Sequence, residues 1–384
     1  MTRRVSIPIA TRGNYAKTKS IVAAIDERFD INAETVLTGG AILARFGGFG
    51  EVMKAEGREA DHVVPYLVDG ETPMAMAKSS GQATIELAEF FGRTRPDIVF
   101  VIADRYEALA FAQAAMCLNI PIAHLEGGEI SGSIDERIRH AVTKLSHVHF
   151  VASDEAAERI CRMGETPDSV HVVGTPSFDL VGAMDLDDLT PLAAALAQTG
   201  SGFSIDLDQP FALVSLMPDV MDRDGGANLV EETGAAALEL GMQVVWLAPN
   251  MDAGSDVIAD NLRAFRARHG DAPFCFLPSL PFEAYARCLS HSRCFLGNSS
   301  SGIREGAYLG VPVVNVGTRQ TDRRRGHNVV DCPAERSAVI AAAREQMSHG
   351  RYPSDPLYGD GHAGARIAEV LATVPLELDK RMTY

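Results

Sequence analysis

Three carboxylates in the first half of the chain sit where a side chain can do acid or base chemistry. Asp104 closes the apolar run DIVFVIAD, Glu126 follows IPIAHL twenty-two residues later, and Asp135 opens the pattern DERIRHAV nine residues beyond that. Each has an ordinary alternative: Asp104 or Asp135, or Ser133 beside it, as a helix N-cap, and Glu126 as a solvated turn residue. Taken together they resist that account, because like charges converging on one place cost energy unless a ligand or a reaction uses them. Such crowding raises carboxylate pKa values toward neutrality, where a group can both take and give a proton. Arg139 and His140, one turn past Asp135, orient or flank these groups. His124 lies two residues before Glu126, and Gly127-Gly128 after it allows close backbone approach.

The second half offers the complementary chemistry. FLGNSSSGIRE places Gly297, Asn298, Ser299, Ser300, Ser301 and Gly302 between an apolar run and a helical pattern. A strand, a small polar turn and a helix start present backbone N–H groups, hydroxyls and the positive helix end to an anion. Arg319, Arg323, Arg324 and Arg325 follow closely in an otherwise acidic chain, so a diphosphate is the expected guest rather than a mere serine-rich cap. Glu305, one turn into the helix, suits a ribose or sugar hydroxyl. No GK[ST] ending makes this a Walker loop, and GGFG at 47–50 is only a glycine-rich loop.

What must hold these residues is a repeating strand–helix pattern. Short β-branched runs (VSIPIA, DIVFVIAD, IPIAHL, VHFVAS, VHVVG) alternate with helical segments, and a second series (FALVSL, QVVWLAP, FCFLP, RCFLG, VPVVNVG) repeats the arrangement. Alternation of this kind predicts βαβ units and parallel sheets. The expected architecture is α/β, two facing Rossmann-like domains with a cleft between them, the motifs at the carboxyl ends of strands. The divisions expected are 1–182 for the carboxylate domain, 205–360 for the diphosphate domain and 361–384 for a C-terminal helix packing back on the first. Between Gly182 and Gln209 an Ala/Leu helix and a polar glycine-containing stretch read as a linker.

The bulk properties narrow the classes. The chain has 384 residues, 46% hydrophobic and 22% charged, enough for two cores. Fifty-one acids against 35 bases give a net charge of -16, no global field for nucleic acid or an anionic membrane. No apolar run spans a bilayer and no export signal is recognisable, so a soluble cytoplasmic protein is expected, its six cysteines reduced. His140, His147 and His149 lack the spacing or companions of a metal site, and none is expected.

The blocks DRYEALA, HLEGGEISGSIDERIRHAVTKLSH, WLAPNMDAGS, GNSSSGIRE and GTRQTDRRRGHNV resemble the hydrolysing UDP-N-acetylglucosamine 2-epimerases of sialic acid synthesis, over about Thr11 to Val330. The resemblance implies the glycosyltransferase-B fold and a reaction that eliminates UDP to a glycal and then adds water, inverting C2. It implies that Asp104, Glu126 and Asp135 are the acid/base catalysts. Arg12 and His124 would lie near sugar and phosphates, and Ser299, Ser300, Glu305 and Arg319 at the nucleotide. No cofactor is implied, and the partner is a UDP-sugar, in a homo-oligomer (dimer or tetramer). Two positions depart from the family: Met217 stands where histidine is usual, with His327 a candidate substitute, and Asn14 replaces an acid. The same chemistry on UDP-2,4-diacetamido-2,4,6-trideoxyglucose, of legionaminic acid synthesis, stays open beside it. So do non-hydrolysing epimerisation, though the HLEGGEISGSIDE form of the motif favours the hydrolysing branch, and sugar-nucleotide binding without catalysis; against glycosyl transfer stand the three carboxylates and the long motif.

Overall fold

The computed structural model describes residues 2–43, 48–70, 72–131, 134–218, 226–249, 255–381 and 383. Ser133, Gly47 and the side chain of Arg12, all singled out above, lie outside the described residues. The chain divides into two compact units. The first comprises the chain up to Glu129, Asp135–Gly182 and everything from Tyr358 on; the second comprises Ile130–Ile134 and Ala183–Leu357.

The first unit is built on seven strands: β1 (Arg3–Ile9), β2 (Ile31–Thr38), β3 (His62–Val64), β4 (Ile98–Ile102), β5 (Ile122–Leu125), β6 (Val148–Val151) and β7 (Val170–Val172). They lie in the order β3-β2-β1-β4-β5-β6-β7, every pairing parallel. Strands covered on both faces by crossover helices read as continuous apolar runs, and the five residues of β4 are all buried. The chain moves outward from β1 through β2 and β3, then returns to the other side of β1 with β4. The order therefore reverses between β1 and β4, where open α/β sheets hold their ligands. Three helices matter there: α1 (Arg12–Asp26) after β1, α4 (Tyr106–Cys117) after β4 and α5 (Asp135–Leu145) after β5.

The second unit repeats this plan with β8 (Ser201–Gly202), β9 (Phe211–Ser215), β10 (Gln243–Leu247), β11 (Phe274–Leu277), β12 (Cys294–Gly297), β13 (Val313–Val316) and β14 (Val329–Cys332). Their order is β14-β13-β12-β9-β10-β11-β8, so the reversal falls between β9 and β12. Six strands are parallel; β8 alone pairs antiparallel, with β11. The expected linker is thus part of this unit. Leu192 and Ala195 of the helix α8 (Thr190–Thr199) bury in its core, and the glycine-containing stretch supplies the edge strand β8.

The last helix, α14 (Ala363–Thr373), packs on α1. Asp179 accepts the N–H groups of Ala363 (2.9 Å) and Gly364 (2.6 Å), and Ala363, Ile367 and Leu371 join the first unit's core. All six cysteines are free, four of them buried.

Candidate active site

In the first unit Asp104 is placed by a strained backbone. Ala103, which follows β4, has φ 58, a left-handed conformation that costs about 1 kcal/mol or more for a residue with a Cβ. The cap reading of Asp104 does not hold, because the N-cap of α4 is Arg105 and makes no side-chain cap bond. Instead the Asp104 carboxylate is held by Arg139, whose Nε donates at 3.0 Å and whose Nη2 forms a close ion pair with the same oxygen. Arg139 is fully buried, and its Nη1 donates to the Glu129 carbonyl at 2.7 Å. Burial alone would lower the guanidinium pKa, but the charges of Asp104, Glu129 and Asp135 hold it above its usual value. Asp135 is the first residue of α5, one turn before Arg139, so the two share a helix face.

Glu126 is not a solvated turn residue. It is buried, has φ 65, and anchors its N–H on the Phe150 carbonyl at 2.8 Å. Its carboxylate is ion-paired with Lys17 of α1. Lys17 was invisible to sequence reasoning because 109 residues separate the pair. The one available signal is that its helix starts at the end of β1, beside the place where the strand order reverses. Gly128, with φ 75, is required here: a Cβ would stand 2.4 Å from the Ala156 carbonyl oxygen.

His124 does not stand ready for a substrate. It is fully buried, and Nε2 lies 2.9 Å from the Ala103 carbonyl oxygen, which can only accept, so Nε2 carries the proton. Nδ1 then accepts from the Thr143 hydroxyl at 3.3 Å. Burial pushes its pKa down to about 3, so the ring stays neutral near pH 7. Through these two bonds it ties Thr143 of α5 to the strained residue before Asp104. His140 is half-buried and pairs with Glu136 at 3.5 Å along its own helix, not with the carboxylate group. Glu129 is buried.

In the second unit the turn after β12 is shaped by close packing. Gly297 has φ 148, and a Cβ there would fall 2.1 Å from the Ser215 carbonyl oxygen. Asn298 clasps the end of β9: Oδ1 accepts from Met217 N–H at 2.6 Å and Nδ2 donates to Met217 O at 2.9 Å. The Asn298 carbonyl accepts from Arg319 Nη1 at 3.1 Å and Gln320 Nε2 at 2.9 Å, which fixes the arginine beside the turn. Ser299 is the N-cap of α12 (Ser300–Tyr308); its Oγ accepts from Ser301 N–H at 3.4 Å and lies 2.9 Å from Ser301 Oγ, itself 2.5 Å from Tyr285 OH. Ser299, Ser300, Ser301 and Glu305 are half-buried, and Gly302 lets the helix lie on Phe295.

The arginines divide. Arg325 is structural, with Nη2 donating to Gln320 O at 2.7 Å and an ion pair to Asp331. Arg323 is buried, Arg319 half-buried and Arg324 exposed. Met217 is buried at the strand end, while His327 is exposed in the turn before β14. Helix end, hydroxyls and Arg319 together can neutralise a diphosphate, and the first unit's carboxylates can move protons. Among the described residues no cluster of three or more His, Cys, Asp or Glu side chains is arranged to hold a metal ion, and no helix is long and apolar enough to cross a membrane.

A sequence profile of the UDP-N-acetylglucosamine 2-epimerase family matches residues 23–372. A hydrolysing UDP-N,N'-diacetylbacillosamine 2-epimerase of Legionella pneumophila is 32% identical over 376 residues, 98% of this chain and 97% of the relative. A UDP-N-acetylglucosamine 2-epimerase of Neisseria meningitidis serogroup B is 29% identical over 374 residues, 96% of this chain and 95% of the relative. Among solved structures, the UDP-GlcNAc 2-epimerase of Methanocaldococcus jannaschii in complex with UDP-GlcNAc and UDP has a TM-score of 0.80 at 17% identity. That likeness, one of fold, covers 96% of this chain and 99% of the other.

Proposed function

Since the chain belongs to the UDP-N-acetylglucosamine 2-epimerase family, we propose that it is a hydrolysing 2-epimerase of UDP-2-acetamido sugars. A carboxylate takes the C2 proton as the C1–O bond breaks and UDP leaves, giving a glycal. Water then adds at C1, a carboxylic acid returns a proton to the other face of C2, and the products are UDP and the free 2-epimer. C2–H is a poor acid, so the barrier falls chiefly through stabilisation of the departing diphosphate. The second unit's turn supplies that, with Ser299, Ser300, Ser301, Gly302, Arg319 and Arg323 holding the nucleotide and Glu305 a hydroxyl.

The carrying observation is the set of carboxylates held beside cations: Asp104 ion-paired with buried Arg139, Asp135 close enough to act on that guanidinium, and buried Glu126 paired with half-buried Lys17. Asp104, Glu126 and Asp135 are the acid/base groups of this proposal. Asp104, gripped by a guanidinium, is suited to countering positive charge that develops at C1, as carboxylates do in glycoside hydrolysis. Glu126, enclosed and paired with Lys17, is the group assigned here to proton transfer at C2.

For the sugar itself we favour the 2,4-diacetamido-trideoxy type, on the strength of the 32% identical Legionella relative. UDP-N-acetylglucosamine is the second reading, favoured by the Neisseria relative. Phosphorus NMR of the protein with each nucleotide sugar separates them. Free UDP should appear with kcat/KM at least about tenfold higher for the diacetamido sugar, the range one substituent commands. Equal or reversed preference overturns the substrate assignment, and a nucleotide sugar that epimerises without releasing UDP overturns hydrolysis.

A further inference from the structure

The C-terminal arm that follows α14 reaches the far end of α5. Lys380 Nζ donates to the Thr143 carbonyl at 3.2 Å and to the Ser146 carbonyl, and pairs with Glu165 at 2.6 Å. The last carbonyls of a helix lack intrahelical partners, and a cation there answers both them and the helix dipole. Glu165 is itself buried, pairing with Lys144 and lying 3.2 Å from His149 Nε2. Thr383 fastens the arm on the same side, N–H to the Gly164 carbonyl at 3.1 Å and Oγ1 to the Glu165 carbonyl at 3.3 Å. A cavity of about 340 Å³ lies beside the arm, lined by Met116, His147 and Leu378 among others. Each of its cations already has an ion-pair partner within the protein, Lys144 and Lys380 sharing Glu165 and Arg381 pairing with Asp379.

What Lys380 grips bears directly on the carboxylates. Thr143 offers its carbonyl to Lys380 and its hydroxyl to His124, whose other nitrogen holds the carbonyl of Ala103, the strained residue before Asp104. The same helix carries Asp135 in its first turn and Arg139, which clamps Asp104. We propose that Lys380 is a positioning residue: the C-terminal arm locks the last turn of α5 and, through Thr143 and His124, fixes the aim of Asp104. This rests on the proposed acid/base role of Asp104. It predicts that an exposed tail far along the sequence sets turnover without touching substrate.

Three variants test it: Lys380→Met, Lys380→Arg and, as a control on the same arm, Arg381→Ala. Hydrogen exchange of the amides in residues 142–146 and the ¹⁵N spectrum of His124 report the lock itself; kcat and KM report its effect. Lys380→Met should speed exchange in that turn about tenfold, leave the second unit's strands unchanged and admit a second His124 tautomer. It should lower kcat about tenfold with KM within about twofold, since small misplacements of a reacting group cost rate rather than binding. Lys380→Arg should restore most of both, and Arg381→Ala should match wild type. Wild-type kcat in Lys380→Met overturns the proposal, as does faster exchange spread evenly over the first unit. If the wild-type protein turns over no nucleotide sugar, the exchange and ¹⁵N readouts still decide whether the lock exists, and only the functional reading has failed.

Discussion

Acidification should weaken the first unit through His124, by an amount that follows from its burial. Fully enclosed, the ring is held neutral down to about pH 3, against an ordinary value of 6.5. Below 6.5 the unfolded chain therefore binds a proton that the native imidazole refuses. Stability contributed at this position is complete above 6.5 and falls as pH drops toward 3, by about 1.4 kcal/mol per unit. Between pH 7.5 and 5.5 the loss integrates to about 1.4 kcal/mol. His147, His149 and His171 are also lowered, burial being the main cause, and they act in the same direction, so the total acid sensitivity is larger. The His124 share is isolated by comparing wild type with His124→Gln, whose amide does not titrate. Urea unfolding at the two pH values is followed by circular dichroism, because the single tryptophan, Trp246, lies in the second unit. The variant should lose about 1.4 kcal/mol less than wild type on going from pH 7.5 to 5.5. Equal losses, or a His124 resonance that titrates near 6.5, would refute the assignment of a neutral structural imidazole.

Further expectations follow from the same contacts. Arg139→Met leaves Asp104, Glu129 and Asp135 around a vacated buried cation site, and should cost about 3 kcal/mol of stability in urea unfolding, the lower end for a broken buried pair since Asp104 keeps some exposure. Gly128→Ala drives a Cβ to 2.4 Å from a backbone oxygen and should destabilise by more than about 2 kcal/mol, whereas Gly57→Ala, also at positive φ but in open space, should cost about 1 kcal/mol; chemical denaturation of the two variants gives the contrast. Arg319→Ala should weaken UDP binding about tenfold or more in calorimetric titration, with folding unchanged, because a charge-assisted contact to a phosphate is worth about 1.5–3 kcal/mol.

The repeating strands were legible because a strand buried on both faces needs an unbroken apolar run, as in DIVFVIAD and RCFLG. The carboxylates could be located because strand ends in such sheets are where side chains reach a ligand. The edge strand β8 was not: two residues paired antiparallel in a polar, glycine-containing stretch leave no periodicity. His124 stood out by its place at the strand end before Glu126, but its two partners, the Ala103 carbonyl and the Thr143 hydroxyl, are brought to it only by the fold. Lys17 and Lys380 escaped for one reason: long flexible side chains act far along the chain, and their partners, Glu126 and Thr143, are found only by folding it. Met217 read as a lost histidine; in the fold its backbone is clasped by Asn298 at the strand end, a contact that asks nothing of the side chain.

The central claim, that the carboxylates move the C2 proton as UDP departs, is tested most directly in deuterated water. Proton and deuterium NMR of the products from UDP-N,N'-diacetylbacillosamine and UDP-N-acetylglucosamine, with wild type and Glu126→Gln, would decide it. The account predicts free UDP and a free 2-epimeric sugar carrying deuterium at C2 from wild type, and no deuterium incorporation from Glu126→Gln while UDP still binds. A released sugar that retains its C2 proton, or undiminished deuterium incorporation by Glu126→Gln, would contradict it.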